Sequence, residues 1–178
     1  MSDTIRVMIT EEEVEEKIRS LGEQISRDYE GKSVMLIGIL KGASFFMCEL
    51  AKRITVPVFI DFMSVSSYGN SSKSSGVVRI NMDINEPVEG KDIIIVEDIV
   101  DTGRTLNYLM ELMRGRGANS IKIATLLDKP DRRVVDLIPD YAEFSIPNEF
   151  VVGWGMDYAQ KYRNLPYVGV VELEAKDK

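Results

Sequence analysis

Three carboxylates, one guanidinium and two hydroxyls crowd into the run Glu97-Asp98-Ile99-Val100-Asp101-Thr102-Gly103-Arg104-Thr105. Its second half offers hydroxyls, a cation and successive backbone N–H groups around a glycine that permits a tight turn, a set that suits a phosphate monoester. The paired acids at its head are hard oxygen acceptors, fit either for sugar hydroxyls or for a hydrated Mg²⁺. Ribose plus phosphate is the reading that these residue types and spacings support.

Such a run needs a strand behind it and a helix ahead. Ile93, Ile94, Ile95 and Val96 form an unbroken β-branched stretch, as in a parallel strand covered on both faces. Leu106, Leu109, Met110 and Met113 recur at i, i+3, i+4 and i+7, the apolar stripe of a helix that Gly115 or Gly117 could end. The acids therefore fall where strand becomes helix, the carboxyl edge at which open α/β sheets bind ligands. Upstream, Thr10 and Glu13 make a capping box for a helix whose stripe is Val14, Ile18, Leu21 and Ile25, and its glutamates read as a solvated face. Residues 34–40 form another buried strand, followed by a helix carrying Met47, Leu50, Ala51 and Ile54. Further strands are expected over 58–63, with a single Asp61, over 77–82 and over 120–127, with Asn85-Glu86-Pro87 and Gly90 turning the chain into the central strand. The pattern predicts one α/β domain with a central, mainly parallel sheet flanked by helices.

Val96 to Leu106, taken as a whole, resembles the phosphoribosyl pyrophosphate (PRPP) motif of the type I phosphoribosyltransferases, and among them the 6-oxopurine branch. The resemblance extends over nearly the whole chain. Leu40-Lys41-Gly42 is similar to the family's pyrophosphate loop, which carries a non-proline cis peptide; from those residues alone, a plain turn with a surface lysine is the simpler reading. Ser67-Tyr68 matches the start of a mobile lid over about 66–76, a polar stretch that a bland linker would also fit. Lys129 resembles the lysine that donates to the exocyclic oxygen of a 6-oxopurine. Phe150 and Val151 match a hood, built from the N-terminal segment and about 141–178, whose ring stacks on the base and whose backbone contacts its edge. Trp154 and Met156 in the same stretch are read as core. Asp157 resembles a Mg²⁺ ligand, joining Glu97 and Asp98, and Arg163 a pyrophosphate partner.

The resemblance implies a purine salvage transferase. It would move the 5-phosphoribosyl group from PRPP to hypoxanthine or guanine through an oxocarbenium-like transition state, with Mg²⁺ as cofactor. Asp101 would act as general base, Lys129 would polarise the base's oxygen and Arg163 would assist pyrophosphate. Glu97 and Asp98 would hold the ribose hydroxyls, Ile99 would contact substrate, and Asp101, Thr102, Gly103, Arg104 and Thr105 would cradle the 5′-phosphate. A homodimer or homotetramer is the implied assembly.

Composition narrows the alternatives. The 178 residues contain no histidine, which excludes Ser-His-Asp and Cys-His catalysis and the usual zinc sites. A formal net charge of -7 weighs against broad nucleic-acid binding. No apolar run approaches a membrane span and the first residues lack a signal peptide's apolar core, so a cytoplasmic protein is expected. Cys48, the single cysteine, is expected to be buried in its helix among Phe46, Met47 and Leu50. Two rival readings differ in class. Val100-Asp101-Thr102-Gly103 also resembles the Asp-Thr-Gly of an aspartic protease, which would need a second aspartate from a dimer of an all-β fold. A PRPP- or nucleotide-binding regulator of the same fold would need the phosphate cradle but not Asp101, Lys129, Asp157 and Arg163 together.

Overall fold

Period-two alternation on the central strands decides the architecture. The computed structural model describes residues 4–67 and 78–172. Strands β1 (Thr4–Ile9), β2 (Val34–Leu40), β3 (Val58–Ser67), β4 (Val78–Met82), β5 (Asp92–Val100), β6 (Ser120–Asp128), β7 (Tyr141–Ser145), β8 (Val151–Val152) and β9 (Val168–Glu172) are joined by helices α1 (Glu11–Asp28), α2 (Ser44–Ala51) and α3 (Arg104–Gly115). Six of the strands form one sheet in the order β4-β3-β2-β5-β6-β7. All its pairings are parallel except β3 with β4. The apolar runs of β2 and β5 are buried on both faces, and successive residues serve different layers. Leu36, Ile94 and Val96 pack with Val14, Ile18, Leu21 and Ile25 of α1 and Phe46, Met47 and Leu50 of α2. Met35, Ile37, Ile93 and Ile95 pack with Leu106, Leu109 and Met113 of α3. The result is the expected three-layer α/β fold.

Local signals end the helices where the residues suggest. Thr10 accepts from the Glu13 N–H while the Glu13 carboxylate accepts from the Thr10 N–H, completing the capping box of α1. The helix α3 stops at Gly115, and Gly117 just beyond it takes φ +80°. Buried Asp61 is tolerated because three backbone N–H groups, those of Phe62, Asn85 and Glu86, donate to it. Burial alone would raise this carboxyl; the N–H donors outweigh it and hold the pKa below the ordinary value.

Two expectations change. The stretch from Tyr141, assigned to the hood, begins with β7, which pairs in parallel with β6 and closes the main sheet. Its residues alternate like any edge strand, and Tyr141 packs into the core with α1. The hood is a separate three-stranded antiparallel sheet, β1-β9-β8. Its Val151, Val168 and Val170, together with Trp154 and Met156 from the turn after β8, join the core on the α1/α2 side. Cys48 is exposed, not buried: Phe46, Met47 and Leu50 face the sheet and turn residue 48 to the opposite side of α2.

At the amino edge of the sheet a polar sandwich fastens the layers. Lys122 Nζ lies 5.0 Å from the Tyr141 ring centroid and 5.5 Å from that of Tyr29. It donates to Tyr141 Oη at 2.9 Å, and Tyr141 Oη donates to Asp28 Oδ2 at 2.6 Å. The end of α1 is thereby tied to the beginnings of β6 and β7.

Candidate active site

At the opposite edge three parallel strands stop together. The strands β2, β5 and β6 end at Leu40, Val100 and Asp128, so Lys41, Asp101 and Lys129 each stand one residue beyond a strand. The Leu40–Lys41 peptide bond is cis. Gly103 takes φ +80°, a backbone that glycine adopts without steric cost, and α3 begins at the next residue. Thr102, Gly103 and Thr105 therefore surround a helix N-terminus, where N–H groups and the helix dipole favour an anion.

Two cavities open side by side here. One, of about 250 Å³, is lined by Leu40, Glu97, Asp101, Thr102, Gly103 and Thr105. The other, of about 440 Å³, is lined by Asp98, Lys129, Phe150, Val151, Met156 and Asp157. Ile99 and Asp101 belong to both walls. Neighbouring residues of a strand face opposite ways, which is how Glu97 reaches the first cavity and Asp98 the second.

Burial sets the electrostatics. Burial raises the Glu97 carboxyl well above its usual range, and the adjacent Asp98 raises it further. Its Oε2 is buried without a hydrogen-bond partner. Asp98 is also raised, mainly by burial, although its Oδ1 accepts from the Ile99 N–H at 2.8 Å. Lys129 is 9% exposed and donates to the Glu149 carbonyl at 2.6 Å. Burial draws its ammonium below the ordinary lysine value, and Asp101 opposes part of that shift. A lysine at a strand end is usually solvated; this one is drawn inward toward the larger cavity.

The buried Glu97 carboxyl gives a stability prediction. A carboxyl raised by folding adds no penalty below its unfolded value, about 4.3 for glutamate. The penalty grows as pH rises above that value and is complete once pH has passed the folded one. Glu97→Gln removes it, so the ligand-free variant is expected to melt above the parent protein at pH 8 and by less at pH 5. The gain grows by about 1.4 kcal/mol for each pH unit between the unfolded and folded values, and each kcal/mol shifts Tm by about 2–4 °C at this chain length. Melting curves at the two pH values check it; a gain equal at both would remove the assigned charge penalty.

The turn after β8, the Lys41-Gly42 turn and the acidic pair are stacked without slack. A Cβ on Gly42 would fall 1.6 Å from Asp98 Oδ2, and a Cβ on Gly155 would fall 1.9 Å from the Gly42 carbonyl oxygen. Arg163 holds that hood turn: its Nη1 donates to the Gly155 carbonyl at 2.6 Å, and its backbone carbonyl accepts from the Gly155 N–H at 2.9 Å. Arg163 Nη2 also lies 2.7 Å from Asp157 Oδ1.

The remaining candidates divide. Lys41 is exposed beside Gly42, and Phe150, 52% exposed, sets its ring edge-to-face on Tyr158 with centroids 5.5 Å apart. Arg104 begins α3 on its exposed side and lines neither cavity. Ser67 closes β3, whereas Tyr68 and nearly all of the expected lid lie outside the described residues. Glu97, Asp98 and Asp157 do not form a ready-made metal cluster; among the described residues no three acidic, histidine or cysteine side chains do. Asp157 is engaged instead by Arg163 and by the Gln160 N–H at 2.7 Å. Sequence reasoning passed over Arg132, Asn148 and Glu149 in the wall of the larger cavity, and no local pattern marks them. No helix among the described residues is long and apolar enough to cross a membrane.

Known proteins resemble this chain in sequence and fold. A family model described as the phosphoribosyl transferase domain matches residues 8–159. The bifunctional protein TilS/HprT of Listeria monocytogenes serotype 4b (strain F2365) is 51% identical over 173 residues, 97% of this chain and 27% of that protein. The chain thus spans little more than a quarter of the length of such bifunctional relatives. The hypoxanthine-guanine phosphoribosyltransferase of Lactococcus lactis subsp. lactis (strain IL1403) is 54% identical over 97% of this chain and 94% of its own. Among solved structures, a hypoxanthine phosphoribosyltransferase from Staphylococcus aureus superposes with a TM-score of 0.93 at 46% identity, covering 97% of this chain and 94% of that one. With the match spanning most of its length, the chain belongs to the phosphoribosyl transferase domain family.

Proposed function

We propose that this chain transfers the 5-phosphoribosyl group from PRPP to hypoxanthine, guanine or both, releasing pyrophosphate and forming the nucleoside monophosphate. The observation that carries this reading is the pair of cavities sharing the Ile99 and Asp101 walls, one backed by a helix N-terminus and hydroxyls, the other by a buried lysine and an exposed ring. A 5′-phosphate fits the first and a planar 6-oxopurine the second, with ribose spanning Ile99. Relatives named as hypoxanthine-guanine phosphoribosyltransferases support the same substrates.

The residues divide the work by charge. As the bond from the anomeric carbon to pyrophosphate breaks, its electron pair leaves with the pyrophosphate, and Lys41, the Gly42 backbone and Arg163 provide cationic and N–H contacts for it. The sugar gains oxocarbenium character, and the Glu97 and Asp98 carboxylates beside it favour positive charge. The purine nitrogen then bonds to that carbon and loses its proton to Asp101, while Lys129 donates to the exocyclic oxygen and Phe150 offers a ring face to the base. Mg²⁺ suits the donor set: the orphaned Glu97 Oε2 and the Asp98 carboxylate are hard oxygens, and Mg²⁺ usually completes its shell with water and substrate oxygens rather than a protein cage. When bound it would neutralise pyrophosphate charge.

Thr105→Ala is expected to raise the PRPP KM about tenfold or more, the worth of one hydrogen bond to a charged group, with kcat little changed. Initial rates over a PRPP series check this, and an unaltered KM removes Thr105 from the cradle. The regulator reading is disfavoured by Asp101 and Lys129 facing one cavity. Cytoplasmic location and a homodimer or homotetramer complete the proposal; exposed Phe59 and Ile60 on β3 offer apolar area for such an assembly to cover, and size-exclusion chromatography with light scattering would measure it. The decisive assay is kcat/KM for hypoxanthine, guanine and xanthine side by side with PRPP and Mg²⁺. Transfer to none of them, with PRPP still bound, would favour a regulator.

A further inference from the structure

Behind the phosphate cradle runs a segment that none of the roles above uses. After β6 the chain makes a 3₁₀ turn, Pro130–Arg132, and then lies along the loop that follows β5. Contacts between the two are made residue by residue. The Lys129 N–H donates to the Val100 carbonyl at 2.9 Å, Arg132 Nε lies 2.9 Å from Asp101 Oδ1, and the Val134 N–H donates to the Thr102 carbonyl at 3.1 Å. Arg133 Cδ and Val135 Cγ2 each lie 2.9 Å from where a Cβ on Gly103 would stand.

We propose that residues 132–135 are a strut that sets the phosphate loop, and that Arg132 is the positioning residue that aims the Asp101 carboxylate into the base cavity. The inference rests on the phosphoribosyl-transfer reading. An ion pair between half-exposed side chains is ordinarily loose, but the backbone of this one is fixed on both sides. The Arg132 N–H donates to the Lys129 carbonyl at 3.0 Å, and the Arg133 N–H to that of Pro130 at 3.1 Å. Next door the Arg133 guanidinium is held between Asp128 and the Leu137 carbonyl, its side chain 12% exposed. Arg132 thus presents its Nε from a settled position, and a carboxylate gripped at one oxygen keeps its orientation. The contact acts through direction: Arg132 Nε meets a single carboxylate oxygen, Oδ1, at 2.9 Å and so fixes how the Asp101 side chain is turned.

R132A and R132K, assayed beside the parent protein, test the strut. R132A is expected to lower kcat roughly tenfold, short of the 10²-fold that a 1 Å misplacement can cost. The PRPP KM should stay within about twofold because the Val134 contact to Thr102 survives, and Tm within about 2 °C because an exposed pair adds almost nothing to stability. R132K, which retains a cation at that position, is expected to regain part of kcat. Unchanged kcat in R132A, or a loss accompanied by a raised PRPP KM and a lowered Tm, overturns the role while leaving the reaction standing. A parent protein without turnover overturns the reaction, and this role with it.

Discussion

Asp101→Asn is expected to lower kcat by about 10²- to 10⁴-fold, the usual contribution of a positioned general base, while the KM for PRPP stays near that of the parent protein. The substitution keeps the shape of the side chain and an oxygen that can accept from Arg132 Nε, now 2.9 Å from the carboxylate. On the proposed role, what it removes is the capacity to take a proton from the purine as the new bond forms. The expected pattern therefore separates Asp101 from Thr105, although the two share one turn and one cavity wall. Steady-state kinetics with base and PRPP varied independently would show it. A rise in the PRPP KM with kcat intact would move Asp101 from proton transfer to substrate binding.

The second large effect comes from a residue with no side chain. Gly155→Ala would place a Cβ 1.9 Å from the Gly42 carbonyl oxygen, on a backbone at φ +96°. Gly42 has little room to retreat, because Asp98 Oδ2 occupies the space beside its own α-carbon. Overpacking costs about 1–3 kcal/mol, and a side chain forced into that backbone region a similar amount. Together they are expected to lower Tm by on the order of 10 °C. Displacement passed through Gly42 to the acidic pair is expected to reduce kcat/KM for PRPP by about 10²-fold, the scale of a 1 Å misplacement. Gly31→Ala is the control, since Gly31 also has positive φ, +74°, but nothing lies within 4 Å of the added carbon. If both variants behaved alike, backbone strain alone would be at work and the stack would carry no signal to the site.

What could be read before any coordinates was what is local. The buried strands and helical stripes are written in consecutive or nearly consecutive residues, and so are the capping box of α1 and the run from Glu97 to Thr105, which folds as one strand end, one turn and one helix start. The contacts that organise those residues are not local. Arg132 meets Asp101 across 31 positions, and nothing near either residue encodes the meeting. Gly155 meets Gly42 from another part of the chain, and neither glycine's neighbours encode the approach. The hood boundary was misplaced because β7 is short and aromatic, like the strands of a small satellite sheet, while its partner β6 is known only once the sheet is assembled. Cys48 was misjudged because an apolar neighbourhood in the chain is not one on the helix surface, where a single step turns a side chain by about 100°.

The sandwich of Lys122 between Tyr29 and Tyr141, closed by Asp28, sits at the rim of the sheet farthest from the cavities. Anchorage and chemistry are thereby housed at opposite ends of the same strands, joined by apolar ladders that change little on either account. A lineage could harden the lower rim against heat, or soften it for a cold habitat, without retuning turnover at the upper one.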